Sequence, residues 1–215
     1  MAPVTLDFEL QRDTFLAFTT PIAKMRVKEA ETINSGLRSA ILEKEGADDG
    51  QGRSAISGWR SQDELLTWPG DEVASLKESF QEAVNTMIAF TSRAQRFTGT
   101  MTLHGWASVC RRGDYLKPQS QPGYHWSGLY FVEPGTANPD NPHSGRLEFQ
   151  DPRGSVDMIR MPGDPFGRPL SLAPEAGQIL IFPSWLQYWA NPYDGEGERV
   201  SVAFNARMSD FKVQE

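Results

Sequence analysis

The sequence predicts an α+β fold with helices first and strands afterwards, and three observations carry that expectation. Apolar residues between positions 28 and 98 recur at helical spacing. Residues 99–212 break into short runs rich in β-branched and aromatic residues, with glycine and proline in the gaps. No linker, internal repeat or low-complexity stretch separates the two regions, so one domain over 1–215 is expected, its helices packed on its sheet.

Each element follows from local pattern. Residues 4–26 read as extended segments, VTLDFEL and then LAFTTPIAKMRV, and Pro21 favours an edge strand or a bend. In 28–47, Ile33, Leu37, Ile41 and Leu42 fall on one helix face, and DDGQG ends the helix. A turn-rich passage follows. From Asp71 onward, Val73, Leu76, Phe80, Val84 and Ile88 mark an amphipathic helix, with Asp71 and Glu72 suited to its positive N-terminus. The candidate strands are then TMTLHGWASVCRR, HWSGLYFVE, GRLEFQDPR, a weak SLAPEAG, QILIFPSWL and RVSVAFNARM. Many short strands suggest a sandwich or a closed, barrel-like sheet.

Composition removes some functions. A net charge of −7 and a pI near 5.1 argue against a nucleic-acid partner, because phosphate binding needs a basic face. No apolar run is long enough to span a membrane, so no membrane partner is expected. The first residues lack the basic and apolar regions of a leader, and the single cysteine forbids an internal disulfide. Both suit a cytoplasmic protein. Cys110, within the alternation WASVC, reads as a small buried hydrophobe.

The histidines give no metal pattern. His104, His125 and His143 form no HxH, HxD or HxxxH pair. His104 reads as structural and His143 as a solvated loop residue. His125 shares parity with Gln119 and Gln121, although Pro122 and Gly123 interrupt the strand between them. Most of the six tryptophans should be core. In PSWLQYWANPY, alternation sends Trp185 and Trp189 to one face and Leu186 and Tyr188 to the other. The acidic Tyr193–Gly197 stretch reads as a hairpin turn rather than a phosphate loop.

Five passages, in order and with little drift in spacing, resemble a bacterial and phage-borne family of small 2-oxoglutarate/Fe(II)-dependent oxygenases. LAFTTPIAKMRV resembles its opening strand. RSAISGWRSQDELL keeps Gly58, Trp59 and Ser61 of its Gly-Trp segment. WASVCRRGDYLKPQSQPGYHWSGLYFVE resembles its central H-x-HP…SG block, GRLEFQDPR its DPR block, and GQILIFPSWLQYWANPYDGEGERVSVAFN its FPSWL-x-H…ER-x-S block. The resemblance implies a double-stranded β-helix (jelly-roll, cupin-like) core. It also implies Fe(II) on two histidines and a carboxylate, with 2-oxoglutarate held by an arginine on a late strand.

Residue by residue, the resemblance places that arginine at Arg199, with Ser201 as its hydroxyl companion, both on one strand face. A guanidinium there suits bidentate capture of a carboxylate. The alternative is an ion pair of Arg199 with Glu196 or Glu198. At the ligand positions stand Gln119 and Gln121 in place of H-x-H, and Tyr188 in place of the distal histidine. No gap in the spacing allows the register to slide. These three read as a hydrogen-bonding cluster, and no metal is expected at the usual positions. The substitutes for a rebuilt metal site are His125 and Asp151; the alternative for Asp151 is that it braces a turn with Arg153.

Three functions remain open from sequence: an oxygenase-like enzyme with altered ligands, a non-redox module binding 2-oxoglutarate or a similar small carboxylate, and a pseudoenzyme acting through protein contacts. A small-molecule ligand is expected in the first two, and a homodimer is compatible with all three.

Overall fold

Helix α1 (Ala30–Ala47) and helix α2 (Asp71–Thr91) form where helical spacing places them. The computed structural model describes residues 9, 11, 14, 17–50, 57–92, 97–136, 138–156, 158, 162 and 170–213. The expected extended segment at 4–10 lies outside these residues except for Glu9. Helix α1 buries Leu37 and Ile41, with Ile33 and Leu42 packed against the same core. Helix α2 buries Val73, Leu76, Phe80, Ala83, Val84 and Met87, and its first turn carries Asp71 and Glu72 at the positive end of the helix dipole.

The strands are β1 (Ala23–Arg26), β2 (Trp59–Arg60), β3 (Phe97–Cys110), β4 (Leu116–Gln119), β5 (Trp126–Glu133), β6 (Leu147–Phe149), β7 (Leu170–Leu172), β8 (Gln178–Pro183), β9 (Tyr188–Ala190) and β10 (Arg199–Val213). They form a six-stranded sheet, β1-β8-β5-β10-β3-β2, and a four-stranded sheet, β4-β9-β6-β7. Every pair of these strands is antiparallel. Pro21 lies two residues before β1, which is an edge strand, where a missing N–H costs least.

Period-two alternation gives the large sheet two buried faces. On β10, Val200, Val202, Phe204 and Ala206 point to the helices, as do Tyr130 and Val132 on β5 and Ile179 and Ile181 on β8. Trp106, Leu129, Phe131, Leu180, Phe182 and Ala203 point the other way, onto Leu147, Phe149, Leu186 and Tyr188 of the opposing layer. The α+β class is therefore built as helices outside, large sheet in the middle and small sheet opposite.

Phe204 joins the helical layer to the sheet. Its ring stacks on Phe80 of α2, centroids 4.0 Å apart. Its strand partners are Gly105 on β3 and Gly128 on β5. A methyl group at Gly128 would run into the Phe204 ring and lie 2.8 Å from the Leu180 carbonyl oxygen. The glycine inside this strand makes room for the aromatic beside it. Tyr130, edge-on to Phe80, donates from its hydroxyl to Asn34 Oδ1 of α1 at 2.6 Å.

The strands run beyond the sequence expectation. β3 begins at Phe97 and β10 continues to Val213, because the two are each other's partners over almost their whole length, with a register shift between Ser209 and Lys212. The short strands β2, β4 and β9 are additions. β4 contains Pro118, which donates no backbone bond, and its register against β9 shifts between Leu116 and Gln119.

Candidate functional site

Pairing of β4 with β9 sets Gln119 directly opposite Tyr188. Gln119 Nε2 donates to the Tyr188 hydroxyl at 3.1 Å. The Tyr188 ring is 2% exposed and sits in an aromatic box, its centroid 4.9 Å from Phe182 and 6.2 Å from Phe149. Leu186 is buried beside it while Trp185 is 56% exposed, the sides expected of them, although both lie in the turn that joins β8 to β9.

Gln121, just past β4, is tied to the large sheet. Its N–H donates to the Ser184 carbonyl at 2.8 Å, and its Oε1 accepts from Asn205 Nδ2 at 3.4 Å. Asn205 Oδ1 accepts from the Ser127 hydroxyl at 2.7 Å, which lies 2.9 Å from the Ser184 hydroxyl. Ser127, Ser184 and Asn205 are all buried, so this network satisfies groups that would otherwise be costly to bury.

Burial raises the Tyr188 phenol above its usual pKa; hydrogen bonds from Gln121 and Gln119 and the Arg60 charge oppose the shift without overcoming it. Burial also pushes Tyr130 up to about 12. For a phenol the raised value favours the protonated, folded form, so the stabilisation is complete below about pH 10 and is lost as pH climbs towards the folded value. In an ultraviolet titration, Tyr188 and Tyr130 are expected to resist ionisation well above the usual tyrosine pKa. Uniform ionisation near pH 10 in the folded protein would contradict the buried box.

Arg199 and Ser201 occupy one face of β10, opposite Cys110 and Ser108 of β3. Arg199 is 7% exposed. Its Nη1 donates to the Gly145 carbonyl, and its guanidinium lies 5.9 Å from the Phe131 ring centroid. Burial pulls its pKa below the usual guanidinium value. Among the described residues no carboxylate pairs with it. Glu198 is held by Arg38 at 3.1 Å and Arg111 at 3.8 Å, and the Glu196 carbonyl accepts from the Tyr193 hydroxyl. A cavity of about 40 Å³ lies beside Arg199 and Ser201 between the sheets, bounded by Leu116, Leu129, Phe131 and Leu147.

His125 and Asp151 are each engaged locally. His125 is exposed; its Nδ1 accepts from the Met208 N–H at 3.1 Å, and its ring meets Phe211 edge-on. Asp151 accepts from Arg153 through N–H, Nε and Nη2 at 2.9, 3.0 and 2.7 Å, and this pairing holds its carboxyl below the usual range. Asp151 therefore braces its turn. Among the described residues no group of three or more His, Cys, Asp or Glu could hold a metal ion. His104 meets Tyr124 edge-on and His143 is exposed. Burial pushes the Cys110 thiol up to about 11, the state of an unreactive cysteine.

Sequence reasoning passed over Asn205 and Arg60. Asn205 has the parity of Arg199 and Ser201 on the same strand, a signal that was available. Arg60 lies 4.4 Å from the Trp106 ring centroid, a contact with no local sequence signature.

Residues 104–205 match the family described as "Putative 2OG-Fe(II) oxygenase". The similarity to that family covers just under half of the chain. The solved structures agree on the fold. A prolyl-4-hydroxylase from Pseudomonas putida is 12% identical, with 88% of this chain and 93% of that one covered and a TM-score of 0.60. A prolyl hydroxylase from Trichoplax adhaerens is 10% identical over 86% and 83%, TM-score 0.62. HygX from Streptomyces hygroscopicus, with nickel and 2-oxoglutarate bound, is 14% identical over 88% and 83%, TM-score 0.52. The two facing sheets are thus the double-stranded β-helix of the 2OG-Fe(II) oxygenase fold, as the resemblance implied. No curated protein matches the chain.

Proposed function

We propose that this 2OG-Fe(II) oxygenase-like protein binds a small carboxylate, such as 2-oxoglutarate, through Arg199 and does so without a redox metal. The observation that carries the reading is Arg199 itself. It is a nearly buried guanidinium with no carboxylate partner among the described residues and one hydrogen bond to Gly145, at the strand position to which the sequence resemblance assigns the anion-holding arginine. A buried charge without a counter-ion is costly, and a bound anion supplies one.

Fe(II) does not fit the side chains at the ligand-equivalent positions. Gln119 and Gln121 offer neutral amide oxygens, weak partners for iron beside imidazole. Tyr188 would have to lose its proton, and burial drives it the other way. Gln119 and Tyr188 already satisfy each other across the strand pair, and Gln121 is bonded to Asn205. In this reading Gln119, Gln121 and Tyr188 close the barrel by hydrogen bonds, while Arg199 holds the ligand. His125 and Asp151, engaged with Met208 and Arg153, take no part. The acidic composition favours a small molecule over nucleic acid, and no helix among the described residues is long and apolar enough to cross a membrane.

Calorimetric titration with 2-oxoglutarate tests this. The wild-type protein is expected to bind, and Arg199→Ala to lose at least about tenfold in affinity, since truncating one partner of a buried charge pair costs about 2–5 kcal/mol. Arg199→Lys keeps the charge and loses the fork, so it should fall between. Equal binding by wild type and Arg199→Ala removes the assignment. Metal content measured after anaerobic loading with Fe(II) decides the remainder: a stoichiometric metal would return the protein to oxygenase chemistry.

A further inference from the structure

The guanidinium of Arg199 borders two spaces of unequal size. The inner one, between the sheets, is about 40 Å³, room for a few waters and small beside the roughly 300 Å³ and upward of ordinary ligand pockets. The second is about 190 Å³ and lies beneath the loop that joins β5 to β6. Its wall includes Thr136, Asn138, Asn141, Ser144, Arg146 and Arg199.

The charge of this second pocket is one-sided. Among the described residues on its wall, both ionisable ones apart from Tyr193 are arginines and none is a carboxylate. Neither arginine forms an ion pair among the described residues. Among the described residues the Arg146 side chain bonds Ser171, through Nε to the hydroxyl at 2.8 Å and Nη2 to the carbonyl at 2.7 Å, which leaves Nη1 available. Asp194, the nearby acid, is already taken by Arg112 at 2.8 Å and by Asn138. The Ser144 hydroxyl accepts from the Asp194 N–H, so its own proton is available to a ligand. The Arg199 side chain reaches this side of the sheet, since Nη1 meets Gly145 of the same loop. Two guanidiniums without an ion-pair partner among the described residues thus line one concave space in a chain of net charge −7, an arrangement that favours an anion.

We propose that the ligand of Arg199 is a small oxyanion seated in the pocket beneath residues 134–146, between Arg199 and Arg146, and entering from the loop side rather than between the sheets. This rests on the reading of Arg199 as an anion-binding residue and adds a second cation and a route. Carboxylate and phosphate share the chemistry that two guanidiniums recognise.

The test is calorimetry of the full chain with 2-oxoglutarate, succinate and inorganic phosphate, each against four variants. Arg199→Ala removes the shared cation. Arg146→Ala removes the second, and Thr136→Trp crowds the loop pocket from an exposed position. Ala190→Val fills the inner cavity with a side chain that suits a strand. The proposal expects Arg146→Ala and Thr136→Trp each to weaken binding at least about tenfold while Ala190→Val leaves it within about twofold. Loss in Ala190→Val with none in Thr136→Trp and Arg146→Ala overturns the loop route and leaves Arg199 as the binder. No loss in Arg199→Ala removes both readings. Phosphate binding without carboxylate binding keeps the pocket and removes the carboxylate function. Binding of none of the three probes overturns the pocket. Circular dichroism of each variant identifies any loss that comes from misfolding, and Arg146→Lys, which keeps the charge, should recover part of the affinity if Arg146→Ala fails to fold.

Discussion

Phe204→Ala is expected to lower stability by about 3–5 kcal/mol, measured as a shift in the chemical denaturation midpoint. The ring is fully buried, stacks on Phe80 and lies between the side-chain-free positions Gly105 and Gly128. Those neighbours have no side chain with which to collapse into the hole, so the cavity should persist and the loss should lie at the upper end. Phe80→Ala on the helix side should cost a similar amount, and the double variant less than the sum, since the two rings share one contact. A loss under about 1 kcal/mol in Phe204→Ala would mean that the helices do not pack on this face.

Gln119→His combined with Tyr188→His is expected to raise Fe(II) affinity at least about tenfold in an anaerobic titration. The two positions are directly opposite in the β4–β9 register, so both imidazoles would reach one point. The exchange leaves space in the box of Phe149 and Phe182, so the melting temperature should fall without metal and recover with it. Tyr188→Phe is the control: it leaves Gln119 Nε2 without its partner but adds no ligand. A double variant that folds and takes up no Fe(II) would show that these are not the ligand positions.

The fold was legible where burial is periodic. Val73, Leu76, Phe80 and Val84 announced α2, and the alternation in RVSVAFNARM announced β10. β4 and β9 were not legible as strands, because one contains Pro118 and each is short, with pairing set by a partner far away in sequence. At the site, the pairing of Gln119 with Tyr188 was anticipated as a hydrogen-bonding cluster. Its extension through Asn205 to Ser127 and Ser184 was not, since those residues meet only when β5, β8 and β10 lie side by side. The pocket shared by Arg146 and Arg199 was equally hidden: residues far apart in the chain approach through the bond from Arg199 to Gly145 and the backbone bonds that tie 145–146 to Asn191 and Pro192.

The strand order has a consequence during synthesis. β10 lies between β5 and β3, yet it is made after both. While the ribosome is still adding the residues after Arg199, β3 and β5 each present an open edge to the cell, the state in which sheets join the wrong partner. A nascent chain stalled before Val213 should therefore be held by chaperones or cleared by proteases, and its release should be abrupt. The strand that bears Arg199 is also the one that closes the sheet, so no chain can reach its folded form without it.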